Sequence, residues 1–217
     1  MSGIDECFPT VAACSGLTAD GDSYDYADHG LLWQGPWEAA ERNGGLDISC
    51  APARLGYTFQ RRCSFESESV LLLDYRVRNS GTARVPFVYC LHMLLAADAR
   101  TRAILPRGMR RAYNYASEDT FGVPNRQWFD LPIQNQTDIT GPWSLERRTF
   151  VKLFSDRLEG RSACVEHPES RDRLFVSCDP QALPYMGLSR LPGLRLTRRR
   201  ALCQRIPCRN RTDHGRG

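Results

Sequence analysis

Two of the four histidines lie in surroundings that would suit proton transfer, because imidazole titrates near neutral pH. His29 follows Asp28 in the stretch "YADHGLLWQGPWE", which also contains Trp33 and shows neither a helical nor a strand period. The stretch therefore predicts a loop. His92 lies in the apolar stretch "VYCLHMLLAAD", which predicts a strand. Aromatic packing within a loop and a satisfied core histidine are the ordinary explanations, so chemistry at either position is a hypothesis.

A histidine, an aspartate and a tryptophan in one loop are typical of a sugar-binding site. The apolar face of a pyranose stacks on an aromatic ring, while its hydroxyl groups need fixed polar partners. The loop thus favours a small-molecule sugar as the ligand. His167, which precedes Pro168 in a predicted turn, and His214, in an Arg-rich tail, are weaker candidates.

Several blocks of the sequence occur in an order that resembles the aldose 1-epimerase family, the galactose mutarotase-like proteins. The blocks are "GIDECFPTV", "DHGLLWQGPWE", "YRVRNSGTARVPFVYCLHMLL", "ILP", "KLF" and "LPYMGL". They cover residues 3–188 with long unmatched gaps. No single block is specific, and the resemblance depends on their order and on the wide separation of the two histidines.

The resemblance implies an all-β fold, the large antiparallel β-sandwich of that family, here incomplete. It also implies interconversion of the α and β anomers of an aldose by a histidine acid and a glutamate base. By matching motif, His92 would be the acid and His29 would bind substrate. Asp28 and Trp33, as neighbours of the motif, would line the sugar pocket.

The sequence departs from the family at both ends. The family's basic glutamate follows the "P-Y-x-G" block, but no glutamate follows Glu169 here. We therefore expect a shifted reading frame near Leu188 and missing strands before the first block. Other carboxylates that could act as a base are Asp5, Glu6, Asp98 and Asp179. The alternatives are a non-catalytic sugar-binding module of the same fold and an inactive, truncated gene product.

Composition argues against several other classes of protein. The net charge is +4, but residues 193–217 carry the excess of positive charge and residues 1–192 are net negative, so we expect no nucleic-acid binding by residues 1–192. Nucleic-acid binding through the Arg-rich tail is a further alternative. No run is long and apolar enough for a membrane helix, and no export signal is recognisable, so we expect no membrane partner. Nine cysteines without a C-x-x-C pair predict reduced thiols, no metal site, no cofactor and a cytoplasmic location.

The elements that would position these residues are predicted to be short strands. "LLLDYRVRN" alternates apolar and polar residues, which predicts a half-buried strand, and residues 70–95 predict a β-hairpin. Further strands are predicted at 102–106, 148–155, 162–167 and 173–179. "PWEAAERNGG" offers at most one or two helical turns. We expect a sandwich domain over residues 1–192 and a disordered or non-native Arg-rich tail over 193–217.

Overall fold

Every regular element among the described residues of the chain is a β-strand, which confirms the predicted all-β class. The computed structural model describes residues 3–33, 35–52, 55–95, 97, 100–116, 123–131, 141, 151–190 and 199–201. The strands are β1 Gly3–Cys7, β2 Cys14–Leu17, β3 Ser23–Tyr26, β4 Trp37–Arg42, β5 Gly45–Cys50, β6 Tyr57–Ser67, β7 Val70–Asn79, β8 Cys90–Leu95, β9 Arg102–Ile104, β10 Arg111–Asn114, β11 Gln127–Asp130, β12 Val151–Ser155, β13 Ser162–His167, β14 Asp172–Ser177, β15 Gly187–Arg190 and β16 Arg199–Ala201. Within the described part of the chain, no helix is long and apolar enough to cross a membrane.

The described residues divide into two compact units. Unit 1 contains those of Met1–Glu6 and Val88–Pro207, and unit 2 contains those of Cys7–Phe87. The predicted boundary at residue 192 stays a prediction. Residues 191–198 and 202–217, which hold most of the Arg-rich tail, lie outside the described residues.

Unit 1 is built from two antiparallel sheets. The larger has the strand order β1-β8-β16-β15-β12-β10-β11, and the smaller has the order β14-β13-β9. Apolar side chains join the two layers. They are Ala103 on β9, Ala163 and Val165 on β13, and Leu188 on β15, with Leu158 and Met186 from the loops. Burial of these side chains between sheets is the dominant stabilising term of a sandwich.

Unit 2 contains the four-stranded sheet β4-β5-β6-β7 and the two-stranded sheet β2-β3. Its core is aromatic and is centred on Phe8, which is almost fully buried. The Phe8 ring lies 5.7 Å from Tyr57, 5.9 Å from Phe59 and 5.0 Å from Phe87, measured between centroids. Aromatic pairs at these separations add stabilisation beyond the burial of their area.

The predicted hairpin over residues 70–95 is wrong, although both of its strands exist. β7 pairs along its length with β6 and is the edge of the four-stranded sheet. β8 lies between β1 and β16 in the seven-stranded sheet. The chain leaves β7 through a turn in which Ser80 donates to the carbonyl of Gly56 and Ala83 donates to that of Ala19. These bonds lead the chain away from β7, so no hairpin forms.

The possible helical turns in "PWEAAERNGG" are also wrong, since Trp37–Arg42 is strand β4. Asn43 and Gly44 join β4 to β5 with φ values of 48° and 70°. Two successive positive φ angles are those of a type I′ hairpin turn, for which Asn-Gly is the preferred sequence. The turn thus overrides the helical propensity of the preceding Glu and Ala residues.

Candidate functional site

The loop that follows β3 holds His29 in a fixed backbone conformation. His29 and Gly30 both have positive φ, at 65° and 73°. Gly30 donates to the carbonyl of Ala27, and Leu31 donates to that of Phe8 at 2.7 Å. Phe8 and Gly30 also form an isolated parallel bridge. The loop is therefore attached to the aromatic core of unit 2 next to the histidine.

Two side chains close in sequence contact the imidazole of His29. Its Nδ1 lies 2.8 Å from Oδ2 of Asp28. The Trp33 ring stacks on it with centroids 4.3 Å apart and an interplanar angle of 8°. His29 is 9% exposed, whereas Trp33 is 47% exposed. The structure thus brings together His29, Asp28 and Trp33, the three predicted residues of this loop.

Trp37, from the same stretch of sequence, has a structural role. Its indole nitrogen donates to the carbonyl of Leu32 at 2.9 Å. Its ring meets Phe59 edge to face at 6.0 Å, and the Arg61 guanidinium lies 5.9 Å from its centroid. These contacts hold the start of β4 against the core.

His92 lies on β8 in unit 1 and is paired with a carboxylate on β1. Nδ1 of His92 lies 2.8 Å from Oδ1 of Asp5, and the two side chains are 11% and 24% exposed. β1 and β8 are neighbours in the seven-stranded sheet, which explains why residues so distant in sequence meet. The sequence named Asp5 only as one of four possible bases, because no local pattern links it to His92.

The other histidines and carboxylates that the sequence offered as candidates make contacts elsewhere or lie outside the described residues. His167, at the end of β13, contacts the buried Thr101 hydroxyl through Nδ1 at 3.1 Å. Asp179 accepts a hydrogen bond from the backbone of Gln181 and so forms a turn. Asp98 and His214 lie outside the described residues. His29 belongs to unit 2 and His92 to unit 1, so their convergence on one sugar stays a prediction.

A polar groove on the four-stranded sheet has no counterpart among the predicted sites. It has a volume of about 580 Å³, and Arg62 and Asp47 lie in its wall. The Arg62 guanidinium binds Asp47 at 2.7 Å and donates to the carbonyl of Arg42 at 3.0 Å. Its arginines are interspersed with Glu38, Asp47 and Asp74, so the wall has no strong excess of either charge.

Comparison with known proteins shows a similarity of fold to a solved structure. No protein-family model matches the chain, and no curated protein matches it. A crystal structure of a TPR-domain containing protein from Parabacteroides distasonis superposes with a TM-score of 0.60 at 10% sequence identity. The match covers 95% of this chain and 33% of that protein, so the chain spans about a third of its length. At this identity the likeness shows a shared fold alone.

Proposed function

We propose that the chain is a hexose-binding domain of the galactose mutarotase-like type and that it interconverts the α and β anomers of its sugar. The observation that carries the proposal is the pairing of His92 with Asp5 at 2.8 Å in a mostly buried position. A buried imidazole beside a carboxylate is a common arrangement for general acid–base catalysis.

His92 is the proposed acid. Opening a pyranose ring requires a proton at the ring oxygen, which His92 donates, and removal of the proton from the C1 hydroxyl, which water accepts; ring closure on the other face returns both protons. The Asp5 carboxylate lies 2.8 Å from Nδ1, where it attracts the positive charge of an imidazolium. Nε2, on the opposite side of the ring, is then the nitrogen that exchanges a proton with the sugar.

His29, Asp28 and Trp33 are the proposed binding residues. The exposed indole of Trp33 offers an apolar surface for a pyranose face, and the Asp28 carboxylate accepts hydrogen bonds from hydroxyls.

A non-catalytic sugar-binding module is the second candidate. It is favoured by the absence of any glutamate after Glu169, the region in which the resemblance expects a base.

Mutarotation of freshly dissolved α-D-glucose and α-D-galactose, followed by polarimetry, tests the proposal. We expect acceleration over buffer by the full chain and a loss of about 100-fold or more in His92→Gln, because that is the lower range of a general acid's contribution. His167→Gln is the matched control: it removes a histidine of the same unit that binds Thr101, and it should leave the rate unchanged.

Three outcomes separate the candidates. Equal rates for the wild type and His92→Gln would contradict the role of His92. Heat of hexose binding in calorimetry without any acceleration would favour the binding module. Neither binding nor acceleration by a chain with a cooperative thermal transition would exclude both.

The cytoplasm is the proposed compartment. None of the seven described cysteines forms a disulfide, and four of them are buried. Thiols of this kind persist in reducing compartments.

A further inference from the structure

A row of aromatic side chains crosses three strands of the seven-stranded sheet at its β11 edge. Tyr113 on β10 is in register with Trp128 on β11 and with Phe154 on β12. Side chains at directly paired positions lie next to one another on the same face. Tyr115, two residues beyond Tyr113, extends the row, and its ring lies 5.8 Å from Phe154. We call these four residues the aromatic row.

The aromatic row is on the outer face of the sheet. The alternate positions Ala112, Val151 and Leu153 are fully buried, so they define the inner face. Trp128 is 45% exposed and Tyr115 is 44% exposed. Tyr113 and Phe154 are half-buried. The outer face of such a sheet is usually polar, so two exposed aromatic side chains close together on it form an apolar patch of the kind that marks a ligand site.

Charged groups of both signs border the aromatic row. The Arg111 guanidinium lies 5.3 Å from the Trp128 centroid and pairs with Asp130 at 3.3 Å. The Lys152 ammonium lies 4.8 Å from the Tyr115 centroid.

The nearly balanced charge indicates the kind of ligand. Two cations, Arg111 and Lys152, lie beside the rings, and Arg111 is paired with the Asp130 carboxylate. A polyphosphate chain favours a clear excess of cations beside the stacking rings. A neutral glycan needs aromatic rings for its sugar faces, together with both donors and acceptors for its hydroxyls. The aromatic row supplies that combination.

We propose that the aromatic row and its bordering charges form a binding surface for a neutral glycan chain. Trp128 and Tyr115 are one interstrand spacing, about 5 Å, apart across the sheet and two residues, about 7 Å, apart along it, which is comparable with the separation of successive rings in a disaccharide. Trp128 and Tyr115 stack on successive sugar rings, while Arg111 and Asp130 bond their hydroxyls. The proposal does not depend on the isomerisation proposed above, since His92 and His29 take no part in it.

Affinity electrophoresis of the full chain through gels containing galactomannan, hydroxyethylcellulose or soluble starch tests this surface. We expect retardation by at least one of these neutral polysaccharides. In Trp128→Ala and Tyr115→Ala the affinity should fall about tenfold, because a stacking contact contributes on the order of 1 kcal/mol. Both side chains are exposed, so both variants should fold, which circular dichroism checks.

Phe175→Ala is the matched control. Phe175 is an exposed aromatic residue of β14, on the smaller sheet, and its removal should leave the retardation unchanged. Retardation by polygalacturonate alone, or tighter and strongly salt-dependent binding to oligo(dT), would overturn the proposal in favour of a polyanion. Retardation by none of the polymers, or equal loss in Phe175→Ala, would also overturn it.

Discussion

His29 and His92 are held by contacts that differ in sequence range. His29 binds Asp28, its chain neighbour, and stacks on Trp33, four residues on. His92 pairs with Asp5, a residue near the start of the described chain. Both imidazoles are nearly buried, and Nδ1 of each lies 2.8 Å from a carboxylate oxygen. The first arrangement is local, and the second depends on the pairing of β1 with β8.

Tyr26 should make stability depend on alkaline pH. Desolvation by burial raises the pKa of Tyr26 above its ordinary value of 10.0, with a smaller opposing effect from its hydrogen bond to Tyr57. Below pH 10 both the folded and the unfolded phenol are neutral, and the stabilisation is fully present. As pH rises above 10 the unfolded phenol ionises first, so the free energy of unfolding falls.

Tyr26→Phe removes this dependence together with one hydrogen bond. Tyr26 donates to the carbonyl of Leu17 at 2.7 Å, so we expect a loss of about 1 kcal/mol at pH 7 and a flatter decline above pH 10. Urea unfolding at pH 7, 9.5 and 10.5 measures both. Tyr24→Phe, at an exposed position beside it, is the control. An unchanged alkaline slope in Tyr26→Phe would show that other groups cause the decline.

Turns determine where this chain forms strands and which of the strands are adjacent. The Asn43-Gly44 turn converts a helix-prone segment into β4, and the turn at Ser80 separates β7 from β8. The loop of His29 is likewise fixed by backbone bonds to Phe8 rather than by its own side chains. Local backbone geometry at a few residues thus controls both the strand partners and the placement of the candidate site.

Gly30 should be irreplaceable in the loop of His29. Its φ is 73°, and an added Cβ would collide with the Phe8 carbonyl. Gly44 has a similar φ of 70°, but a Cβ there would meet nothing within 4 Å. Gly44→Ala should therefore cost only the left-handed backbone strain, about 1–2 kcal/mol. Gly30→Ala should cost more, because the loop must also move away from Phe8.

Thermal or urea unfolding of the two glycine variants measures the difference. Equal destabilisation would mean that the loop relaxes freely and that the bond from Leu31 to Phe8 does not fix it. The hexose binding that we propose should weaken as well in Gly30→Ala, because His29 and Trp33 would be displaced, whereas it should be unchanged in Gly44→Ala.

Each unit has its own core, and the reactivity of the buried cysteines reports how well each core excludes solvent. Burial raises the pKa of the Cys50 thiol in unit 2 above its ordinary 9.0. It also raises that of Cys164 in unit 1, where the Glu166 charge adds to the increase and Arg173 partly offsets it. The thiolate is the reactive form, so both burial and the raised pKa slow alkylation.

Alkylation with iodoacetamide at pH 8, followed by peptide mass spectrometry, tests the packing of both units. We expect Cys14, which is exposed, to react first, and Cys7, Cys50, Cys90 and Cys164 to react only as the chain unfolds. In 8 M urea all of them should react at similar rates. Modification of Cys50 as fast as Cys14 in native buffer would show that unit 2 opens readily, and the same result for Cys164 would show it for unit 1.

The sequence by itself determined the strand character of the chain and the local cluster around His29. Apolar and polar residues alternate along β7, and partial burial of Leu73, Tyr75 and Val77 confirms the period. Residues 162–167 form β13 as predicted. Asp28, His29 and Trp33 meet because they are neighbours in sequence, so the sequence of this one loop is enough to predict that they cluster.

Only the tertiary structure decided which strands pair. The Asp5–His92 pair and the aromatic row both result from that pairing. Asp5 meets His92, and Trp128 meets Tyr113 and Phe154, through registers between strands distant in the sequence. A period of two residues fixes which face a side chain occupies, but it does not name the neighbouring strand. Which strands pair depends on two opposing contributions: the apolar area buried across the whole unit, and the entropy lost when each connecting loop is closed. Neither can be worked out from a short stretch of sequence.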